Sequence, residues 1–216
     1  RGLESGDRYS ILVTHFSNRV RFFNITNINA QSTTSGSTQG KLDSKKGHLE
    51  LTHKTKYGLD SFKTKTDPNG KLIPFEYELK TQHSQMNLEA NLEVLKKPLM
   101  VGQTGLVTIG SSGKSWYYSF SRMRATGKLT HNGRTEAFEG IGWFDHQWGQ
   151  FLISPVELGG LFETYEWFCI QLDNGLDLMV SNIYNRLYQL PKKQSYTGVG
   201  FVLPDGSIDG VVEKKF

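Results

Sequence analysis

The sequence predicts an all-β fold of antiparallel strands, a barrel or sandwich, and three observations carry that reading. From Met86 to Val94, Met86, Leu88, Ala90, Leu92 and Val94 alternate with Asn87, Glu89, Asn91 and Glu93. That is the period of a sheet with one dry and one wet face. His131-Asn132-Gly133 and Asp173-Asn174-Gly175 each separate two extended runs, and Asn-Gly supplies the positive φ that tight hairpins require. No segment carries the apolar spacing of an amphipathic helix.

Taken in order, the expected strands are 10–15, 20–25, 49–53, 74–82, 86–94, 106–109, 116–129, 134–142, 164–172, 176–184 and 198–203. Asp67-Pro68-Asn69-Gly70 and Pro204-Asp205-Gly206 read as further turns, and so does Gly110-Ser111-Ser112-Gly113-Lys114, which lacks the spacing of a phosphate loop. The stretch 31–39, rich in Ser, Thr and Gly, reads as a flexible loop. Pro155 and Gly159-Gly160 interrupt the pattern. A domain boundary is expected there, with one domain over 1–155 and the start of a second over 156–216. The second holds only about four strands, fewer than a closed barrel needs, so a truncated second domain is expected, or a partner that completes its sheet.

Composition narrows the function. The 216 residues include 13 Phe and 23 Gly, with 37% hydrophobic and 21% charged residues, too apolar for a disordered chain. The net charge of +4 is scattered in short lysine pairs with no interleaved aromatics, which argues against nucleic acid as a partner. No run approaches the ~20 apolar residues of a spanning helix. The lone Cys169 excludes an internal disulfide. Between Phe168 and Ile170 it reads as a buried, inert thiol. His48 and His53 fall on opposite faces of one strand and cannot jointly hold a metal; no metal and no cofactor is expected. Arg122 and Arg124 share a face, and either clamp an anion or pair with surface acids.

One stretch is unlike the rest: Gly142-Trp143-Phe144-Asp145-His146-Gln147-Trp148-Gly149. If extended, it puts Phe144, His146 and Trp148 on one face and Trp143, Asp145 and Gln147 on the other. A histidine between aromatics suits a cavity wall, where low dielectric keeps the imidazole neutral and able to act as a base. An indole face can stabilise a developing cation. The plainer alternative is that the tryptophans fill core and His146 makes one satisfied hydrogen bond.

The run 116–124 (WYYSFSRMR), the hairpin through Asn132-Gly133, the motif 142–149 (GWFDHQWG) and the run 166–179 (EWFCIQLDNGLDLM) resemble the AttH and carotenoid hydratase family. The resemblance implies two lipocalin-like domains. It also implies an active site lined by the His and Trp of D-H-x-W-G, here His146 and Trp148. The hydratases add a Tyr and an Asp from a second-domain strand. The matching strand here, 176–184, offers Ser181, Asn182 and Tyr184, with no carboxylate at its far end.

On these grounds the chain is expected to bind a hydrophobic polyene, terpenoid or polyketide between its domains, and to hydrate or cyclise it. His146 and Trp148 are the catalytic candidates. Phe144, Tyr117, Tyr165, Asn182 and Tyr184 are the substrate-binding candidates, and Asp145 orients a neighbour. Glu163 and Glu166 are further candidate acids. A non-catalytic carrier or periplasmic binding protein for a lipophilic ligand is the rival reading, and a structural domain whose motif is merely core is the third. The resemblance implies a periplasmic or secreted location, although no leader is visible. Peripheral membrane contact and oligomeric state are left open.

Overall fold

A computed structural model describes residues 1–45, 47–109, 113–150, 163–185 and 194–214. They form β-strands joined by turns. The strands are β1 (Tyr9–His15), β2 (Val20–Asn27), β3 (Ser32–Ser44), β4 (Glu50–Thr55), β5 (Gly58–Thr66), β6 (Leu72–His83), β7 (Met86–Val94), β8 (Leu99–Met100), β9 (Leu106–Ile109), β10 (Gly113–His131), β11 (Arg134–Gln150), β12 (Glu163–Gln171), β13 (Asp177–Asn185), β14 (Gln194–Val202) and β15 (Ile208–Lys214). One sheet runs in the order β1-β2-β3-β4-β5-β6-β7-β10-β11, with β8 and β9 also pairing with β10. A second runs β12-β13-β14-β15. The pairings along β1 to β7, of β10 with β8 and β9, and along β12 to β15 are antiparallel.

The all-β, antiparallel expectation is therefore met, and the alternation over 86–94 marks β7 to the residue. Barrel closure by a strand ladder is not seen among the described residues. An isolated bridge between Gly2 and Phe138 brings the start of the chain to β11, flanked by backbone bonds from Leu3 N to Ala137 O and from Glu139 N to Arg1 O.

The stretch expected to be a flexible loop is instead most of β3, paired along its length with β2 and, further on, with β4. Its side chains are mostly exposed or half-buried, and Thr38 alone is buried. Hydrophobic periodicity was thus absent because this strand buries almost nothing. Gly36 has a positive reason to be glycine: a Cβ there would stand 2.8 Å from the Phe23 ring. Strands β5, β8 and β15 also lie outside the expected set.

The Asn-Gly turns differ. Asn132 and Gly133 both have positive φ, 51° and 80°, the two-residue geometry that Asn-Gly favours. At Asn174-Gly175 only the glycine does, at 84°, and the bonds Leu172 N→Leu176 O and Gly175 N→Leu172 O close a longer loop. The same bond pattern closes the turns at Asp67–Lys71 and Leu203–Ser207. The turn expected at 110–114 lies largely outside the described residues.

By packing, the chain divides into two units. One comprises Arg1–Val94 and Arg124–Ile141, the other Leu95–Met123 and Gly142–Phe216. The boundary expected near 155 lies outside the described residues. In the N-terminal unit, Phe23, Ile25, Met86, Leu88 and Leu129 form the core. In the C-terminal unit the core is Leu99, Val101, Val107, Met179 and Val202, with Tyr117, Trp143 and Trp167 packed against it. Each unit also buries ions. Arg21 and Asp60 pair at 2.8 Å in the first, both side chains fully buried. In the second, Asp177 receives Lys96 at 2.8 Å and Arg122 at 2.7 Å. Arg122 is thus an internal partner, whereas Arg124 pairs with Glu93 in the open. Arg124 follows the plainer reading of these arginines, a surface acid as partner, whereas the acid that Arg122 meets is buried.

Candidate functional site

The segment 142–149 is extended within β11, so its side chains alternate as expected. On one face Phe144, His146 and Trp148 sit beside aromatic residues of β10. His146 and Trp148 lie 4.7 Å apart between ring centroids. Phe144 stacks on Phe120 at 5.6 Å, and Trp148 on Trp116 at 6.5 Å. His146 Nδ1 and the Tyr118 hydroxyl are hydrogen-bonded at 3.2 Å. Partial burial lowers the imidazole pKa, so His146 is neutral at pH 7. Trp116 and Trp148 are each 45% exposed. The Trp116–Trp148 end of this face is open to solvent, while Phe120 at the other end is buried.

The opposite face belongs to the core of the C-terminal unit. Asp145 accepts hydrogen bonds from Ser119 Oγ at 2.5 Å and Trp143 Nε1 at 2.8 Å, both to Oδ1. The Tyr117 hydroxyl acts on the same carboxylate. Ser115, Ser119 and Ser121 are fully buried along this side of β10. Trp167 of β12 meets Trp143 edge-to-face at 6.2 Å. Its buried indole N–H makes no hydrogen bond among the described residues, yet it acts electrostatically on the Tyr117 hydroxyl. Gln171, at the end of β12, fixes this corner by donating to the carbonyls of Ser121 at 2.7 Å and Gly142 at 2.9 Å.

Asp145 is exposed as a residue, while its Oδ1 is taken up by neutral donors. Desolvation raises its pKa and outweighs the three donors, Ser119, Trp143 and Tyr117, that pull it down. Tyr117 is pushed far up, first by burial and then by the charge of Asp145. An acid whose partners are an indole, a phenol and a serine hydroxyl, with no cation among them, holds its proton more tightly than an ordinary aspartate.

The remaining candidates scatter. Asn182 reaches Glu166 at 3.4 Å across the β12–β13 register, on the face of β13 opposite to the core residue Met179. Tyr165 and Tyr184 lie on paired strands, and their side chains, like that of Glu163, are outside the described residues. Cys169 is exposed rather than buried. Desolvation first, and Asp145 second, raise its thiol pKa, which disfavours the thiolate. His48 bonds Glu50 at 3.0 Å, and His53 pairs instead with His15. No cluster of metal-binding side chains occurs among the described residues. Sequence reasoning missed Ser119 as a neighbour of Asp145 and Trp167 as a neighbour of Trp143. The signal available was parity: Ser119 shares its face of β10 with Tyr117.

The fold and this cluster define an all-β protein with an acid beside aromatic side chains. The family model described as AttH-like matches residues 12–216, and the chain belongs to that family. Among solved structures, kievitone hydratase from Nectria haematococca is similar with a TM-score of 0.69 and 13% identity, over 97% of this chain and 60% of that one. An AttH from Nitrosomonas europaea is similar with a TM-score of 0.63 and 15% identity, over 97% of this chain and 62% of that one. This chain thus spans about three fifths of the length of either. No curated protein matches it.

Proposed function

We propose that the protein binds a hydrophobic alkene-bearing molecule against the Asp145 face of β11 and catalyses addition of water to it. The observation that carries this reading is the raised pKa of Asp145 among Ser119, Trp143 and Tyr117. The similarity to a solved hydratase supports hydration over cyclisation. Hydration of an isolated alkene starts with a proton, and a carboxyl whose proton affinity is raised is a better-matched donor than an ordinary surface aspartate. The Asp145 carboxyl gives its proton to one alkene carbon, and the other becomes a carbocation faced by the Trp143 and Trp167 rings. Water then attacks that carbon and returns one proton to the Asp145 carboxylate. The net change is one water added, and the acid is regenerated.

In this reading the acid is Asp145, the residue to which sequence reasoning gave only an orienting role. His146 and Trp148 are placed on the other face, where the imidazole is held by Tyr118. The test is turnover of a panel of polyenes and prenylated phenols in ¹⁸O-labelled water. Wild type incorporates label into a hydrated product, and Asp145→Asn loses at least about 100-fold of that rate. Full activity in Asp145→Asn sinks the assignment of the acid. Tight binding by the wild type without any labelled product favours the carrier instead.

A further inference from the structure

The N-terminal unit buries an arginine that uses only part of its donor set. Arg21 on β2 is fully buried. Its Nη1 serves Asp60 Oδ2 at 2.8 Å, Thr81 Oγ1 at 3.0 Å and the Gln82 carbonyl at 2.8 Å. Asp60 is itself filled, accepting also from Thr81 Oγ1 and from Gln82 N, each at 3.0 Å. Arg21 Nε and Nη2 are buried and donate to nothing among the described residues. Phe23 lies 5.6 Å from the guanidinium carbon, a contact with a ring face that leaves the in-plane N–H groups unmatched. Idle buried donors of a charged group are costly. The Nε/Nη2 edge is also the fork whose spacing matches the two oxygens of a carboxylate.

Two further features give the site a ligand class. His15 and His53 approach Nδ1 to Nδ1 at 3.0 Å. One Nδ1 donates and the other accepts, so two neutral rings would present one N–H and one bare nitrogen at their Nε2 atoms. Both Nε2 atoms are buried and unpartnered among the described residues, adding one donor and one acceptor to the polar end. Along the inward face of β2, Phe23 and Ile25 follow Arg21 at the strand period and join the apolar core. The interior therefore passes from a cationic fork to hydrocarbon along one strand.

We propose that the interior of the N-terminal unit binds a carboxylate-bearing, partly apolar molecule, with its carboxylate on the Nε/Nη2 edge of Arg21. This site is independent of the chemistry assigned to Asp145. The test is NMR of the ¹⁵N-labelled protein, following the Arg21 Nε–H resonance during titration with acetate and with octanoate. The resonance is assigned by its loss in Arg21→Lys. A saturable shift is expected, with octanoate binding more tightly than acetate, and Arg21→Lys weakens binding by roughly tenfold or more. Should Arg21→Lys unfold, the wild-type titration and a His53→Gln variant carry the test, the latter weakening octanoate binding. Saturation by acetate and octanoate alike supports carboxylate recognition by the fork and narrows the ligand to small acids. An Arg21 resonance indifferent to both acids overturns the proposal and leaves water as the occupant of the fork.

Discussion

Two aspartates of the C-terminal unit, thirty-two positions apart in sequence, receive opposite treatment. Asp177 is fully buried and meets two cations, Lys96 and Arg122, with Ser121 Oγ as a third partner at 3.0 Å. Lys96 also donates to the carbonyls of Gly175 and Val202, and Arg122 to that of Leu172 at 2.9 Å. The carboxylate is answered by two cations, whose remaining donors reach backbone carbonyls, which makes the group a fastening for the β12–β13 hairpin. Asp145 has only neutral donors, and its proton affinity rises. The lesson is that partner type, more than burial, decides whether an acid holds a structure together or handles protons.

This contrast can be broken at either end. The largest effect is expected from Asp177→Ala, which strands two largely buried cations. Urea unfolding should show a loss of about 3–5 kcal/mol. Stability within 1 kcal/mol of wild type, on the order of a surface pair, would mean that Lys96 and Arg122 find water instead. Next is the pH dependence of stability. Asp145 has a folded-state pKa above its ordinary 3.8, so the folded protein binds that proton more tightly than the unfolded chain. The stabilisation is complete below 3.8 and is lost as pH rises through the folded value. Asp145→Asn should flatten the curve over that interval, and an unchanged curve would show that Asp145 does not titrate there. The smallest effect is expected from Trp143→Phe, which removes one donor from Asp145. Its cost should be about 0.5–1.5 kcal/mol, with the Asp145 carboxyl pKa, read by ¹³C NMR, moving further upward. A downward movement would contradict the role given to the indole N–H.

The contrast also explains what could be read from the sequence. Asp145 was correctly placed away from His146 by alternation, because backbone parity is a local property. Which face is interior was not legible, since aromatic residues occupy both: Trp143 on one, Phe144 and Trp148 on the other. That choice is made by Trp167 and Met179, contributed from strands distant in sequence. The pairing of Arg122 with Asp177 spans 55 positions and that of Arg21 with Asp60 spans 39, and no local pattern announces either. Strands with one wet face, such as β7, were plain because burial writes a period of two into the residues. β3 stayed hidden because its place is secured by backbone bonds to both neighbours, which leave no imprint on hydropathy.

Strands β10 and β11 each begin in one packing unit and end in the other. Neither unit is a continuous stretch of chain: the first resumes at Arg124 after the second has already contributed Leu95–Met123. No single cut in the gene can therefore release one half intact. A fragment ending at Val94 would forfeit the ribbon that supplies Leu129 to its own core, and a fragment starting at Gly142 would lack Leu99, Val101 and Val107. Attempts to express either half alone should yield insoluble or protease-sensitive material, whereas a circularly permuted chain that keeps the ribbon whole has no such handicap.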